Sequence, residues 1–226
     1  MEQDEFSETL KIGPDAEIAM HNREKNSFRG ISTRRKLRIL TAGAVNQDFL
    51  DEICELTNLE ELSLEWPTTA TSLDGLARLT RLKRLRIDSP RNITDFTPIL
   101  KLMKLTHLDI ENAKHLYDLR WMRPLKDQLV KLNLDGSINT TQKLESLDPL
   151  DGFAFEELWM VSTSVADKDL SPLITCRNLK TLRCAKSVST FEGFMALADA
   201  RPDLQCDWFS PELWPGRKFK GGPALR

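Results

Sequence analysis

The sequence predicts an α/β solenoid: a right-handed stack of about eight coils, each giving one strand to a parallel sheet on the concave side and a 3₁₀ or irregular helical turn to the convex side. Three observations carry this. A six-residue pattern, LxxLxL, recurs in register; apolar residues repeat at every third position between its copies; and neither end of the chain follows the pattern of the middle.

The pattern reads LEELSL at 59–64, LKRLRI at 82–87, LTHLDI at 105–110 and LVKLNL at 129–134. Looser copies stand at 155–160 (FEELWM) and 179–184 (LKTLRC), and Leu37-Arg38-Ile39 and Leu204-Gln205-Cys206 read as worn terminal copies. With the second apolar position as marker the series is Leu37, Leu62, Leu85, Leu108, Leu132, Leu158, Leu182 and Leu204, in steps of 22 to 26 residues. Chance does not produce that regularity. Pleat alternation turns the leucines of each strand inward and sends the residues between them to the opposite, concave face.

Between the strands lie the rows Leu50, Ile53, Leu56; Leu73, Leu76, Leu79; Phe96, Ile99, Leu102; Leu170, Leu173, Cys176; and Phe191, Phe194, Leu197. A spacing of three suits short 3₁₀ turns, in which positions i and i+3 eclipse, better than an α-helix of period 3.6. One strand and one turn cannot bury their own apolar side, so each coil depends on the coils above and below it.

An open stack would expose its last apolar layer, so the ends are expected to differ. Residues 1–28 carry Glu2, Asp4, Glu5, Glu8, Asp15 and Glu17, with Ile12, Ile18 and Met20 as anchors for an acidic cap or a short helix starting near Asp15. The solenoid is assigned to residues 29–209. Residues 210–226 form a Pro/Gly-rich tail in which Leu213 and Trp214 are expected to fold back over the last coil, the final dozen residues being loose.

On its in-register LxxLxL motif and its period of two dozen residues, the chain resembles the leucine-rich-repeat proteins over roughly residues 29–209. The likeness is to the short-coil class found in internalins and in protein phosphatase regulatory subunits. It implies a protein-recognition scaffold, a rigid curved surface presenting many short side chains. One departure stands out: the family often has Asn or Cys three residues after the strand, where this chain has Pro67, Pro90, Ala113, Ser137, Thr163 and Ser187. Backbone groups at those bends are therefore expected to pair with hydroxyls, water or each other, since a buried unpaired group costs about 1–3 kcal/mol.

Composition narrows the function. Lys and Arg number 32 against 34 Asp and Glu, so no bulk attraction to nucleic acid or anionic membrane is expected. The basic cluster Arg34, Arg35, Lys36 and Arg38 lacks the interleaved aromatics of a nucleic-acid site and reads as a solvated edge. The acidic start Met1-Glu2-Gln3-Asp4-Glu5 is unlike a secretory signal, and no apolar run is long enough for a bilayer, which predicts a soluble cytoplasmic protein. Cys54, Cys176, Cys184 and Cys206 contain no CxxC pair and read as reduced packing residues, with a redox pair at Cys184 and Cys206 as the lesser alternative. No GxxxxGK[ST] or GxGxxG loop is present, and His21, His107 and His115 are not spaced to serve a nucleophile, so neither cofactor nor catalytic set is expected.

Function is expected on the concave columns. The first runs Lys36, Glu61, Arg84, His107, Lys131, Glu157, Thr181, Asp203; the second Arg38, Ser63, Arg86, Asp109, Asn133, Trp159, Arg183, Gln205. The third begins at Leu40 and continues Glu65, Asp88, Glu111 and Asp135 before Val161, Ala185 and Asp207, so four carboxylates fall on neighbouring rungs about 4.8 Å apart. One reading is a docking strip for a protein with a basic surface, built from Glu65, Arg84, Arg86, Asp88, His107, Asp109, Glu111, Asn133, Asp135, Trp159 and Arg183, with Trp159 as the large anchor. The other is a solvated face whose charges keep a parallel sheet soluble and neutralise one another sideways. A divalent-cation site at His107, Asp109 and Glu111 is disfavoured by the spacing of about 6.8 Å between same-face residues of a strand. The function these features favour is a non-enzymatic adaptor, inhibitor or immunity-type scaffold. The alternative is a targeting subunit of a ligase or phosphatase that docks through the end bearing Trp208 and Trp214.

Overall fold

The computed structural model describes residues 17–22 and 26–215. The strands are β1 (Glu17–His21), β2 (Ile39–Val45), β3 (Glu61–Thr68), β4 (Arg84–Asp88), β5 (His107–Glu111), β6 (Lys131–Asn133), β7 (Gln142–Leu144), β8 (Glu157–Met160), β9 (Thr163–Val165) and β10 (Thr181–Cys184). Eight of them make one sheet in the order β1-β2-β3-β4-β5-β6-β8-β10, every neighbouring pair parallel; β7 and β9 pair as a second, two-stranded parallel sheet. The repeat dictates the register: Leu62 faces Leu85, Leu85 faces Leu108, Leu108 faces Leu132, Leu132 faces Leu158 and Leu158 faces Leu182. All of these leucines are buried in one continuous core that runs from Phe28 to Trp214.

The connecting rows Leu73 to Leu79, Phe96 to Leu102 and Leu170 to Cys176 flank or contain the 3₁₀ turns Asp74–Arg78, Thr97–Lys101 and Ser171–Thr175, with Arg120–Leu125 and Asp148–Leu150 in the coils between. The two outermost rows depart from the expected 3₁₀ geometry. They are α-helices, α1 (Gln47–Ile53) and α2 (Phe191–Ala200). In each the cap side chain reaches the third helical N–H, Asn46 accepting from Phe49 and Thr190 from Gly193, whereas in the middle turns Ser72, Asp95, Asp118, Ser146 and Asp169 accept from the first N–H of the turn. Three of the middle 3₁₀ turns also carry Pro at the first or second position and end within three to five residues.

Both terminal strands were misplaced by the sequence pattern. Leu40, not Leu37, faces Leu62, so Ile39, Thr41 and Gly43 take the outward positions expected of Lys36, Arg38 and Leu40. The worn copy is in fact LRILTA at 37–42, in which Leu37 occupies the rung of Leu59 and Ala42 that of Leu64. At Gly43 a Cβ would meet the His21 ring of β1, so a larger residue there would require that ring to move. At the other end Gln205, not Asp203, faces Thr181, and it does so as an isolated bridge. The eighth strand comes from Glu17–His21, which pairs along β2 instead of continuing a helix from near Asp15, with Ile18 and Met20 packed on the core. Asp15 itself and the loose tail expected beyond 215 lie outside the described residues.

Hydroxyls serve the bends, as expected from the missing Asn. Buried Thr163 donates its Oγ1 hydrogen to Leu134 O at 2.6 Å, Ser187 Oγ to Thr163 O at 3.1 Å and Ser162 Oγ to Ser137 O at 3.0 Å. One amide does the same: Gln142 accepts from Ala113 N at 2.9 Å and donates to Leu116 O at 2.5 Å. Aromatics cover the ends. Phe28 stacks on Phe49 with centroids 4.8 Å apart. Trp214 is buried against Phe191, Phe194 and Trp208, while its neighbour Leu213 stays exposed. Arg201, buried at the end of α2, donates to Cys176 O and Leu179 O, each at 2.7 Å, and so serves carbonyls of the preceding coil.

Thr163→Val keeps the shape of this staple but leaves the Leu134 carbonyl unpaired in the core. The expected cost is about 1–3 kcal/mol, read as a fall in the urea midpoint with unchanged slope; no loss of stability would show that the hydroxyl bond is dispensable.

Candidate partner-binding face of the sheet

The register brings the outward residues of the middle strands together as three columns. The first holds Glu61, Arg84, His107, Lys131, Glu157 and Thr181; the second Ser63, Arg86, Asp109, Asn133, Trp159 and Arg183. Glu65, Asp88 and Glu111 follow in β3, β4 and β5, with Asp88 facing Glu111. Asp135 lies past the end of β6, at a bend, where its Oδ1 accepts from Ser162 N at 3.2 Å. Its carboxylate is thus committed to the backbone turn.

The columns are knitted sideways. Arg86 binds Glu111 through Nη2 at 2.7 Å and stands 3.9 Å from Asp109 through Nε, joining β4 to β5. Arg84 approaches Glu61 at 3.7 Å, and Lys131 meets Glu157 at 3.1 Å. Ser63 donates to Glu65 at 2.6 Å and Ser89 to Asp88 at 2.7 Å. His107 Nδ1 is 2.9 Å from the Thr106 hydroxyl. Among the described residues no group of three His, Cys, Asp or Glu side chains is arranged to hold a metal ion.

Trp159 is bracketed by cations from the strands on either side. Lys131 Nζ of β6 is 3.7 Å from its ring centroid and Arg183 Cζ of β10 is 4.7 Å from it. These contacts attract the charges to the ring face and hold the indole half-buried. The tryptophan expected as an anchor is therefore half-buried between two charged side chains. Lys131, absent from the candidate set, is its main support; its stem crosses the face and only 8% of the residue is exposed.

At the centre sits Asp109, 3% exposed although it points to the outer face, with Asn133 beside it at 8%. Asp109 Oδ1, Asn133 Oδ1 and Trp159 Nε1, on three consecutive strands, have no hydrogen-bond partner among the described residues. Burial pushes the Asp109 carboxyl up to about 7, against the opposing pull of Arg86 and Asn133. Burial also raises Glu111 and Asp135 above the usual carboxylate range. Sequence alternation places these groups on a face but carries no sign of how deeply their neighbours cover them. Glu60 was likewise missed: buried beside the sheet, it is held low in pKa by Lys83 at 2.8 Å and Arg38 at 2.6 Å, which is where the expected concave Arg38 goes.

A carboxyl that titrates at about 4 when unfolded and about 7 when folded binds a proton more tightly in the native state. Its stabilising contribution is present below about pH 4 and is lost as pH rises through about 7. Glu111 and Asp135 act in the same direction. Asp109→Asn is expected to raise stability at pH 8 by an amount on the order of a few kcal/mol while changing it little at pH 4. Urea unfolding across this range checks it, and an unaltered pH slope would show that Asp109 is already ionised.

No protein-family model and no curated protein matches the sequence. Solved structures do match. An internalin of Listeria monocytogenes superposes with a TM-score of 0.54 at 22% identity, over 77% of this chain and 55% of its own. A leucine-rich-repeat protein of Leptospira interrogans gives 0.55 at 16% identity, over 84% of this chain and 53% of its own. The chain spans about half the length of each. With its parallel sheet, one strand per coil, inward leucine rungs and short 3₁₀ turns, the chain has the fold of the leucine-rich-repeat proteins.

Proposed function

We propose that this protein is a non-catalytic recognition scaffold that binds a protein partner on the outer face of its large sheet, in the manner of an adaptor, inhibitor or immunity-type protein. The observation that carries the reading is the polar centre of that face: Asp109, Asn133 and Trp159 on adjacent strands, each with a buried polar atom lacking a partner. A sheet selected for stability alone would not hold such atoms, each of which costs about 1–3 kcal/mol, where Thr or Val would serve. Held in register by the core, these groups lose little entropy on binding.

The surroundings suit a partner with a basic surface. Glu65, Asp88 and Glu111 border the centre, and Arg84, Arg86 and Arg183 give it registration marks of opposite sign. Four free thiols, two of them buried, fit a reducing compartment such as the cytoplasm. No helix among the described residues is long and apolar enough to cross a membrane. In the alternative reading, a targeting subunit of an enzyme complex, docking would use the end near Trp208 and Trp214. There the Trp208 indole donates to Cys184 O at 2.6 Å and Trp214 to Trp208 O at 3.0 Å, which supports a cap and favours the sheet face.

Affinity capture from native lysate, followed by binding of the captured protein, tests the reading. Trp159→Ala is expected to weaken that binding by about 2 kcal/mol, roughly thirtyfold, and Asp88→Lys with Glu111→Lys to abolish it, while Lys101→Glu on the opposite side leaves it unchanged. Equal binding by all three variants would exclude the sheet face.

A further inference from the structure

A second surface, away from the outer face of the sheet, has the opposite electrostatic character. Where the strands give way to the turns, a groove of about 690 Å³ is lined by Arg91, Lys114 and Lys143 together with Asn92, Thr140 and Thr141. Its volume lies within the range of about 300–1,000 Å³ usual for ligand sites. Its lining includes no carboxylate. The three cations come from three successive coils, are exposed, and have no ion pair among the described residues. In a chain with a net charge of −2, whose sheet-face Arg84 and Arg86 are matched to carboxylates, that concentration is not a consequence of composition.

The floor beneath the cations is rigid. Gln142 ties Ala113 N to Leu116 O. Asn112 donates to Ser89 Oγ at 2.8 Å and accepts from the Thr140 hydroxyl. Asn92 donates to Thr69 O at 3.0 Å. Asn112 holds a left-handed backbone at φ 52°, so the loop is bent to a fixed shape. Like charges gathered on such a frame repel one another, and an anion lying among them relieves that repulsion.

The neighbouring surface narrows the class of anion. Across exposed Tyr117, which lines both, lies a second groove of about 600 Å³ with Asp118, Glu145, Asp148 and Asp167 against Arg120 and Arg123. Arg120 is already paired with Asp118 at 2.6 Å. A uniform polyanion such as a nucleic-acid strand, running on past Tyr117, would meet these carboxylates, whereas a peptide can change sign along its length.

We propose that the groove of Arg91, Lys114 and Lys143 seats an acidic peptide segment of a protein partner. This site is independent of the sheet-face reading and survives if that reading fails.

The test is fluorescence-polarisation titration of the full chain with labelled poly-Glu, with a Ser-containing acidic peptide in plain and phosphorylated forms, and with polyuridine. Binding of poly-Glu or of either acidic peptide is expected, and Arg91→Glu with Lys114→Glu and Lys143→Glu should weaken it by about tenfold or more. The sheet-face variant Trp159→Ala should leave it intact, and circular dichroism should show both variants folded. A preference for the phosphorylated form supports the site and identifies the anion. The proposal is overturned if no acidic peptide binds, if the triple reversal binds as well as wild type, or if polyuridine binds tightest with the same dependence on the three cations. If the triple variant unfolds, the single variant Lys143→Gln replaces it, with a smaller loss expected and an unchanged affinity counting against the site.

Discussion

Everything in this molecule depends on the inward stacking of apolar rungs. Leu62, Leu85, Leu108, Leu132, Leu158 and Leu182 are each buried by the rung on either side, and none could be buried within its own coil. The same constraint explains the surface. Once the leucines are fixed inward, pleat alternation leaves no choice about which residues face out, so Arg86, Asp109, Asn133, Trp159 and Arg183 become neighbours although some two dozen residues separate each from the next. It explains the ends as well: where the stack stops, Phe28 on Phe49 and Trp214 on Phe194 supply the apolar cover that a further coil would have given.

What could be read from the sequence follows from how strongly each feature is tied to that stack. The central strands were legible to the residue because three apolar positions per copy fix the phase. The copy at 37–42 has Ala42 in the third position, and with that signal weakened the pattern sets Leu37 where Leu40 stands and shifts the outward residues by three. Glu17–His21 carries no LxxLxL and was invisible as a strand; its partner is decided by the bare edge of β2. The α-helical geometry of α1 and α2 is not legible in the row because a spacing of three is common to both helix types; what sets them apart is a cap side chain, Asn46 or Thr190, three residues before the N–H it serves.

The site shows the limit more sharply. Alternation named Asp109, Trp159 and Arg183 as outward residues and they are outward, yet it treated outward as exposed. Covering by the long side chains of neighbouring rungs makes the difference: Arg86 over Asp109, and Lys131 and Arg183 against Trp159. Those contacts depend on rotamers and on the separation of the strands, which no periodicity encodes. The groove of Arg91, Lys114 and Lys143 was hidden for a related reason, since its cations sit on bends and a short strand outside the repeat.

The two surfaces meet a partner on different physical terms. On the sheet face most charges already have an opposite neighbour, so a partner must displace internal pairs such as Arg86 with Glu111 and gains only the difference between old and new contacts. Such exchange gives little net energy and much discrimination, because a wrong partner leaves the displaced charges buried and unpaired. Around the edge groove no internal pair has to be broken, so attraction acts at longer range and falls with salt. A solenoid can hold both because its core specifies only the inward third of each coil, leaving strand faces and bends to vary independently. If both proposals hold, the rigid face would decide which partner fits, and the unneutralised groove would govern how fast an oppositely charged segment arrives.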